Sequence, residues 1–284
     1  MKDDYRVPVQ EGREEMSEED IIKATPIPRT RESLAHDLRQ LGVTAGMTLL
    51  MHSSLRAIGW VSGGPIAVVQ ALMDVVTAEG TIVVPTHTSG NSDPAKWENP
   101  PVPQAWWSVI YETMPAFEPE TTPTYGMGKI VETFRTWPDV LRSNHPTDSF
   151  AAWGRHAQYI TAQHSLENGL GEGSPLARIY DLDGWVLLLG VGYDRNTSFH
   201  LAEYRAPSAT PTMLGAPIME EGTRVWKQYR DIEIDSDIFS DIGDDFEQDT
   251  RLVNMGRVGS AETRLFPQRA AVDFAEKWLT RNRL

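Results

Sequence analysis

Apolar residues recur at helical spacing at Leu34, Leu38 and Leu41, with Thr30 placed to cap the segment and Gly42 to stop it. The unbroken run Thr48-Leu49-Leu50-Met51-His52 then predicts a buried strand, Ile66 to Val76 a helix, and Thr81-Ile82-Val83-Val84-Pro85 the next strand. Periodicity fades between Thr86 and Gly128, where Pro, Tyr and the cluster Trp97, Trp106 and Trp107 predict loops that face a ligand. Helices are expected at Lys129 to Thr136 and Ala151 to Gln163, and a strongly apolar strand at Trp185-Val186-Leu187-Leu188-Leu189-Gly190. A helix near His200, an extended stretch from Arg224 to Ile234, an acidic run from Asp235 to Glu247 and a last amphipathic helix near Trp278 and Leu279 complete the pattern. Alternating strands and helices with unequal connections predict a layered α/β/α sandwich with a mixed central sheet, the loops forming a smaller lobe.

Residues 1–28 break this pattern, because Glu11, Glu14, Glu15, Glu18, Glu19 and Asp20 run into Pro26-Ile27-Pro28 without apolar spacing. They are expected to form a mobile or peripherally docked arm, leaving residues 29–284 as a single domain. No apolar stretch has the roughly 20 residues that cross a bilayer, and Met1 is followed by Lys2-Asp3-Asp4, so a cytoplasmic protein without a membrane partner is expected. With no cysteine, thiolate metal sites and acyl-cysteine chemistry are excluded. A formal charge of −14 disfavours nucleic acid and suits cationic ligands, although solubility alone explains it equally well. Gly190-Val191-Gly192 follows a strand but lacks the third glycine of a dinucleotide fingerprint, and there is no Walker-type loop.

Four segments carry a denser signal: His52-Ser53-Ser54-Leu55-Arg56-Ala57-Ile58-Gly59-Trp60, Arg142-Ser143-Asn144-His145-Pro146, Ser149-Phe150-Ala151-Ala152-Trp153-Gly154 and Gly173-Ser174-Pro175-Leu176-Ala177-Arg178. A fifth runs from Val186 through Gly190-Val191-Gly192-Tyr193-Asp194-Arg195-Asn196-Thr197-Ser198-Phe199-His200 to Glu203. In order and spacing they resemble the aminoglycoside 3-N-acetyltransferase family, and the fifth resembles most closely the branch that acts on apramycin. The resemblance implies acetyl transfer from acetyl-coenzyme A to the 3-amino group of the 2-deoxystreptamine ring of an aminoglycoside antibiotic, with a histidine base that falls on His200. It also implies coenzyme A contacts from Ser53, Ser54, Leu55 and Arg56, with Met127, Arg142 and Ser143 as further contacts. Beyond Glu203 the match thins, and a homodimer stays open as an assembly.

The residues themselves support part of that picture. Asn196, Thr197 and Ser198 are good helix starts, so His200 should stand in a first helical turn at the end of the sheet. Glu203, three residues on, shares its face and can fix the imidazole tautomer. Loss of a proton from an amine needs a base that works near neutral pH, which imidazole is. Two readings compete with the base: a structural histidine, and a shared metal, for which no third ligand is evident at a compatible spacing, so no metal is expected. A protein binding cationic sugars without catalysis, or a metal-dependent hydrolase, remains the alternative function. Ser53 and Ser54 are not in a Gly-x-Ser-x-Gly elbow, which favours direct transfer over a serine nucleophile. His145 stands where some family members carry Asn and is read as structural or substrate-adjacent. Asp93 and Trp106 are candidates to bound a sugar. Asp231, Glu233 and Asp235 alternate along an extended segment, which would align three carboxylates on one face for a polyamine, with Asp237, Asp241, Asp244, Asp245 and Glu247 extending the field.

Overall fold

The computed structural model describes residues 17–282; the part of the expected N-terminal arm at residues 1–16 lies outside the described residues. Helix α1 (Glu18–Ala24) opens the described chain, the Ser17 hydroxyl accepting from the Asp20 amide in its first turn. In α2 (Arg31–Leu41), Thr30 and Ser33 exchange side chain to backbone bonds at the start, Gly42 closes the end at φ 110°, and Leu34, Ala35, Leu38 and Leu41 form the buried stripe. Strand β1 (Thr48–Ser53), the single turn α3 (Leu55–Ile58), α4 (Gly64–Val76) and β2 (Thr81–Pro85) follow. After an irregular stretch come α5 (Trp107–Thr113), α6 (Gly128–Arg135), β3 (Leu141–Arg142), β4 (Phe150–Gly154), α7 (Ala157–Thr161), α8 (Pro175–Asp181) and β5 (Trp185–Leu189). The last third holds α9 (Ser198–Arg205), β6 (Pro211–Glu220), β7 (Thr223–Ile232), α10 (Phe239–Thr250), β8 (Asn254–Val258), β9 (Ala261–Pro267) and α11 (Gln268–Asn282).

Seven strands form one mixed sheet in the order β3-β4-β2-β1-β5-β9-β8, while β6 and β7 pair only with each other. The three central strands are parallel, β1 pairing with β2 on one side and with β5 on the other. Every outer pairing is antiparallel. Side-chain alternation splits the core in two. Leu49, Met51, Ile82, Val84, Leu187 and Leu189 pack with α2, α4 and α6 on one face. Leu50, Val83, Val186, Leu188 and Phe266 pack with α8, α9, α10 and α11 on the other, which makes the layered α/β/α sandwich that the pattern predicts. Among the described residues no helix is long and apolar enough to cross a membrane.

The expected helix from Ala151 to Gln163 is a strand followed by one short helix. Phe150, Ala151 and Ala152 are fully buried, and β4 pairs with β2 along five residues, so the ladder outcompetes local helix preference. The acidic run folds in the opposite sense: Phe239, Ile242 and Phe246 recur at helical spacing within it and bury α10.

Gly154 ends β4 at φ 106°, and a Cβ there would lie 2.2 Å from the Gly80 carbonyl oxygen. Backbone strain and the clash act together, so Gly154→Ala should lower unfolding stability by about 2–4 kcal/mol in urea denaturation. A midpoint within error of the parent would show that this corner is not constrained.

Candidate active site

Because β1 sends its crossover to β2 on one side while β5 lies on the other, the C-terminal ends of the parallel strands bound a crevice of the kind in which open α/β sheets bind ligands. The Ser54 amide donates to the Leu189 carbonyl at 2.9 Å and fixes the β1 and β5 ends together. On the α4 and α6 face, a cavity of about 660 Å³ opens there, lined by Ser53, Ser54, Leu55 and Arg56, by Gly64 and Pro65 of α4, and by Met127, Lys129 and Ile130 around the start of α6. The Ser53 hydroxyl is buried with no hydrogen-bond partner in the protein. It is a polar atom at the cavity wall still owed a partner.

On the opposite face, α9 begins where Asn196 Oδ1 accepts from the Ser198 amide at 3.3 Å. His200 Nδ1 lies 2.7 Å from Glu203 Oε2, with side-chain exposures of 12% and 2%. The other carboxyl oxygen of Glu203 accepts from the Asp235 amide at 3.1 Å. The Phe239 ring stands 4.7 Å from the imidazole, centroid to centroid. This network orients the imidazole through Nδ1. Next along the helix, the Tyr204 hydroxyl donates to Asp231 Oδ1. A second cavity, about 560 Å³, is bounded by Glu203, Ser208, Thr210, Glu233 and Asp235.

Two buried histidines, His52 and His87, lie near this centre, and a stacked pair, His145 and His164, lies beyond them. His52, on the α9 face of β1, is pushed down to about 3 by burial and then by His87 and His200. His87 stands 5.5 Å from Phe150, centroid to centroid, and is lowered to about 4, chiefly by burial. The Nε2 atoms of both are buried without a hydrogen-bond partner. His164 is lowered to about 3 by burial and then by His145, on which it stacks at 4.6 Å; its Nδ1 accepts from the Ser143 hydroxyl and its Nε2 donates to the Gly169 carbonyl. Asp148 stays below the ordinary carboxyl range although burial pulls it upward, because His145, His87 and His164 lie near it.

The site candidates separate by position. Ser53, Ser54, Leu55, Arg56 and Met127 gather on the larger cavity. Arg142 and Ser143 do not line it. Arg142 donates to the carbonyls of Thr86, Pro119 and Thr122 and lies over the Phe117 ring, with burial lowering it to about 10. Ser143 is fully buried between His164 and the Phe150 amide. Glu233 and Asp235 are exposed on the smaller cavity, but the three carboxylates do not share a face. Asp231 points inward at 4% exposure, taking bonds from Tyr204 and the Gly169 amide. Asp93 accepts from the Tyr111 hydroxyl and the Ala95 amide, and Trp106 is 57% exposed at the start of α5; neither lines the smaller cavity. In the acidic run, Glu247 accepts from Tyr193 and Arg264, and Asp245 from the Trp278 indole, so these acids brace α10. His52, His87, Tyr204 and Phe239 were not anticipated as neighbours of His200. The strand-end positions of His52 and His87 were the available signal. No group of three or more His, Asp or Glu suited to an ion occurs among the described residues.

A family model described as aminoglycoside 3-N-acetyltransferase matches residues 50–280. The SPbeta prophage-derived aminoglycoside N(3')-acetyltransferase-like protein YokD of Bacillus subtilis (strain 168) is 53% identical over 263 residues, which cover 92% of this chain and 96% of that one. The crystal structure of YokD superposes with a TM-score of 0.92 over 93% of this chain and 98% of the other. Aminoglycoside N(3)-acetyltransferase VII of Streptomyces paromomycinus is 35% identical, covering 93% of this chain and 96% of that enzyme. Two further solved structures carry ligands in their descriptions. AAC-IIIb, binary with CoASH, is 29% identical, with a TM-score of 0.79 over 90% of this chain and 97% of that one. AAC-VIa, bound to sisomicin, is 32% identical, with a TM-score of 0.80 over 90% and 98%.

The buried histidines generate a stability prediction. Their folded values lie below the unfolded value of 6.5, so between about pH 6.5 and 4 the unfolded chain binds more protons than the folded one. Stability therefore falls as pH falls through that window, each such histidine contributing about 1.4 kcal/mol per pH unit. Urea unfolding at pH 7.5, 5.5 and 4.5 should give that slope, and His87→Gln should flatten it by about one proton's worth. A slope unchanged in the variant would mean that His87 is protonated in the folded protein.

Proposed function

This chain belongs to the aminoglycoside 3-N-acetyltransferase family, and from that premise we propose that it transfers the acetyl group of acetyl-coenzyme A to the 3-amino group of a 2-deoxystreptamine aminoglycoside. The observation that carries the mechanism is the 2.7 Å bond between His200 and the buried Glu203. Apramycin is among the accepted antibiotics, on the resemblance of Val186 to Glu203 to that branch of the family. The acyl donor is an intracellular metabolite, so a cytoplasmic setting belongs to the same reading, with residues 29–284 as one catalytic domain.

The larger cavity fits coenzyme A by its chemistry. Arg56 and Lys129 supply positive charge for phosphates, Ser53 an unpartnered hydroxyl for an amide, and Leu55, Met127 and Ile130 apolar walls. A relative described with CoASH and another with sisomicin support donor and acceptor for this fold. Bound there, acetyl-coenzyme A supplies the thioester carbonyl that the amine attacks. The chain's own work is proton handling. His200 donates Nδ1–H to Glu203 and presents Nε2 to the amine, which must shed its proton to become nucleophilic. Glu203 offsets the positive charge that the ring then gains, while the Asp235 amide keeps the carboxyl aimed. As the carbon–nitrogen bond forms and the carbon–sulfur bond breaks, the ring yields that proton to the departing sulfur, and the second proton, left on the acylated nitrogen, passes through Nε2 to solvent, so the dyad returns to its starting charge. Glu233 and Asp235 attract the other ammonium groups of the antibiotic from the smaller cavity.

His200→Ala should lower kcat by about two orders of magnitude, the usual scale for a lost general base, with coenzyme A affinity retained. Thiol release with apramycin and other 2-deoxystreptamine aminoglycosides measures it. A folded variant with near-parental turnover would return His200 to a structural role, and no antibiotic-dependent release by the parent would remove the assigned reaction.

Charge in the smaller cavity is tested separately. Glu233→Gln with Asp235→Asn should raise the antibiotic's KM about threefold or more and weaken its salt dependence, while the KM for acetyl-coenzyme A stays put. Equal KM values and equal salt slopes would move the cationic ligand elsewhere.

A further inference from the structure

We infer that α1 is a wall of the acyl-donor site and that Ile21 and Glu18 contact coenzyme A directly. The inference rests on the coenzyme A reading of the 660 Å³ cavity and extends it to a helix outside the family-defining span, since α1 precedes the matched residues 50–280.

Helix α1 is well made for an element with so little beneath it. Ser17 and Asp20 form a reciprocal capping box, yet none of its residues enters the core. Its side chains divide instead by what they face. Glu18 and Ile21 line the cavity, Ile21 being half-buried, while Ile22 is 51% exposed and does not line it. What positions the helix is the chain just after it. Thr25 Oγ1 donates to the Ile21 carbonyl at 2.7 Å and accepts from the Trp60 amide at 2.9 Å. The Arg29 amide then donates to the Trp60 carbonyl at 2.9 Å, and the Ser62 amide to the Arg29 carbonyl at 2.8 Å. Gly59 permits this approach: its φ is 92°, and a Cβ there would lie 2.9 Å from Thr25 Oγ1. Gly59, Trp60 and Val61 line the same cavity, so the arm is zipped to the rim that it overhangs.

The ligand follows from the wall chemistry. The cavity carries Arg56 and Lys129 and lies on the sheet face opposite α9, which suits an anionic nucleotide thioester better than a polycation. Glu18 would repel a phosphate and accept from an amide or exocyclic amine, so α1 borders the uncharged part of coenzyme A. Ile21 then gains as partner the apolar surface that the protein core does not give it.

The test uses the full chain with coenzyme A itself as titrant in calorimetry. Ile21→Asp should weaken coenzyme A binding about tenfold or more, and Ile21→Ala about threefold, from lost apolar contact and added repulsion. Ile22→Asp puts the same charge one residue along on the outward side and should stay within about twofold of the parent. All three should melt with the parent, since α1 buries nothing in the core. Parental affinity in Ile21→Asp, or an equal loss in Ile22→Asp, overturns the contact. If Ile21→Asp fails to fold, α1 is a core element and the inference also falls. No binding by the parent would instead sink the coenzyme A reading itself, and the unmutated protein reveals that first.

Discussion

Glu203 is the hinge on which the centre depends. A carboxyl at 2% side-chain exposure is costly unless its lone pairs are engaged, and here one oxygen meets His200 Nδ1 while the other takes the Asp235 amide. The first bond orients the imidazole; the second reaches the segment that follows β7. Helix α9, which carries His200, and the segment after β7, which carries Glu233 and Asp235, are therefore tied together through this side chain. Tyr204 doubles the connection one residue later by donating to the buried Asp231. Removal of either acid would leave partners buried without a mate, a larger loss than one net hydrogen bond.

A second constraint comes from the sheet. The cavity at Ser53 and the dyad at His200 lie on opposite faces, so they can meet only over the ends of the parallel strands. His52 and Ser53 show how a strand serves both sides: successive residues point in opposite directions, one toward the histidine group and one into the cavity. The strand ends are short of hydrogen-bond partners there, as the unpartnered atoms of His52, Ser53 and His87 record, which is the usual condition of a place built to receive something.

The layered fold was legible because its central strands are near-continuous apolar runs and its main helices carry caps and stripes in the sequence, as at Thr30 to Gly42. Helix α9 was legible for the same reason, together with the proximity of His200 and Glu203. Failures came where a partner decides. Phe150 to Gly154 is a strand only because β2 lies beside it, and α10 hides three core residues among acids. Asp231 alternates correctly with Glu233 and Asp235, but alternation cannot reveal which face is buried, and β7 turns Asp231 toward Tyr204. Arg142 and Ser143 illustrate the same limit, since a guanidinium suited to phosphate is equally suited to three carbonyls.

The hairpin of β6 and β7 forms its own small sheet, paired with no strand of the main one and joined to α9 through Asp231. Its outward side chains run from Met213, 50% exposed and one pair from Asp231, to Met219, 47% exposed beside the turn, and neither belongs to the core of the sandwich. Such an arrangement separates two kinds of heredity within one gene. Substitutions on the outer hairpin can drift at little expense to folding, whereas the inward Asp231 and its tyrosine are held to their identities by the buried hydrogen bond they share. Diversification among descendants of this chain should thus accumulate on the hairpin's outer surface and spare its root.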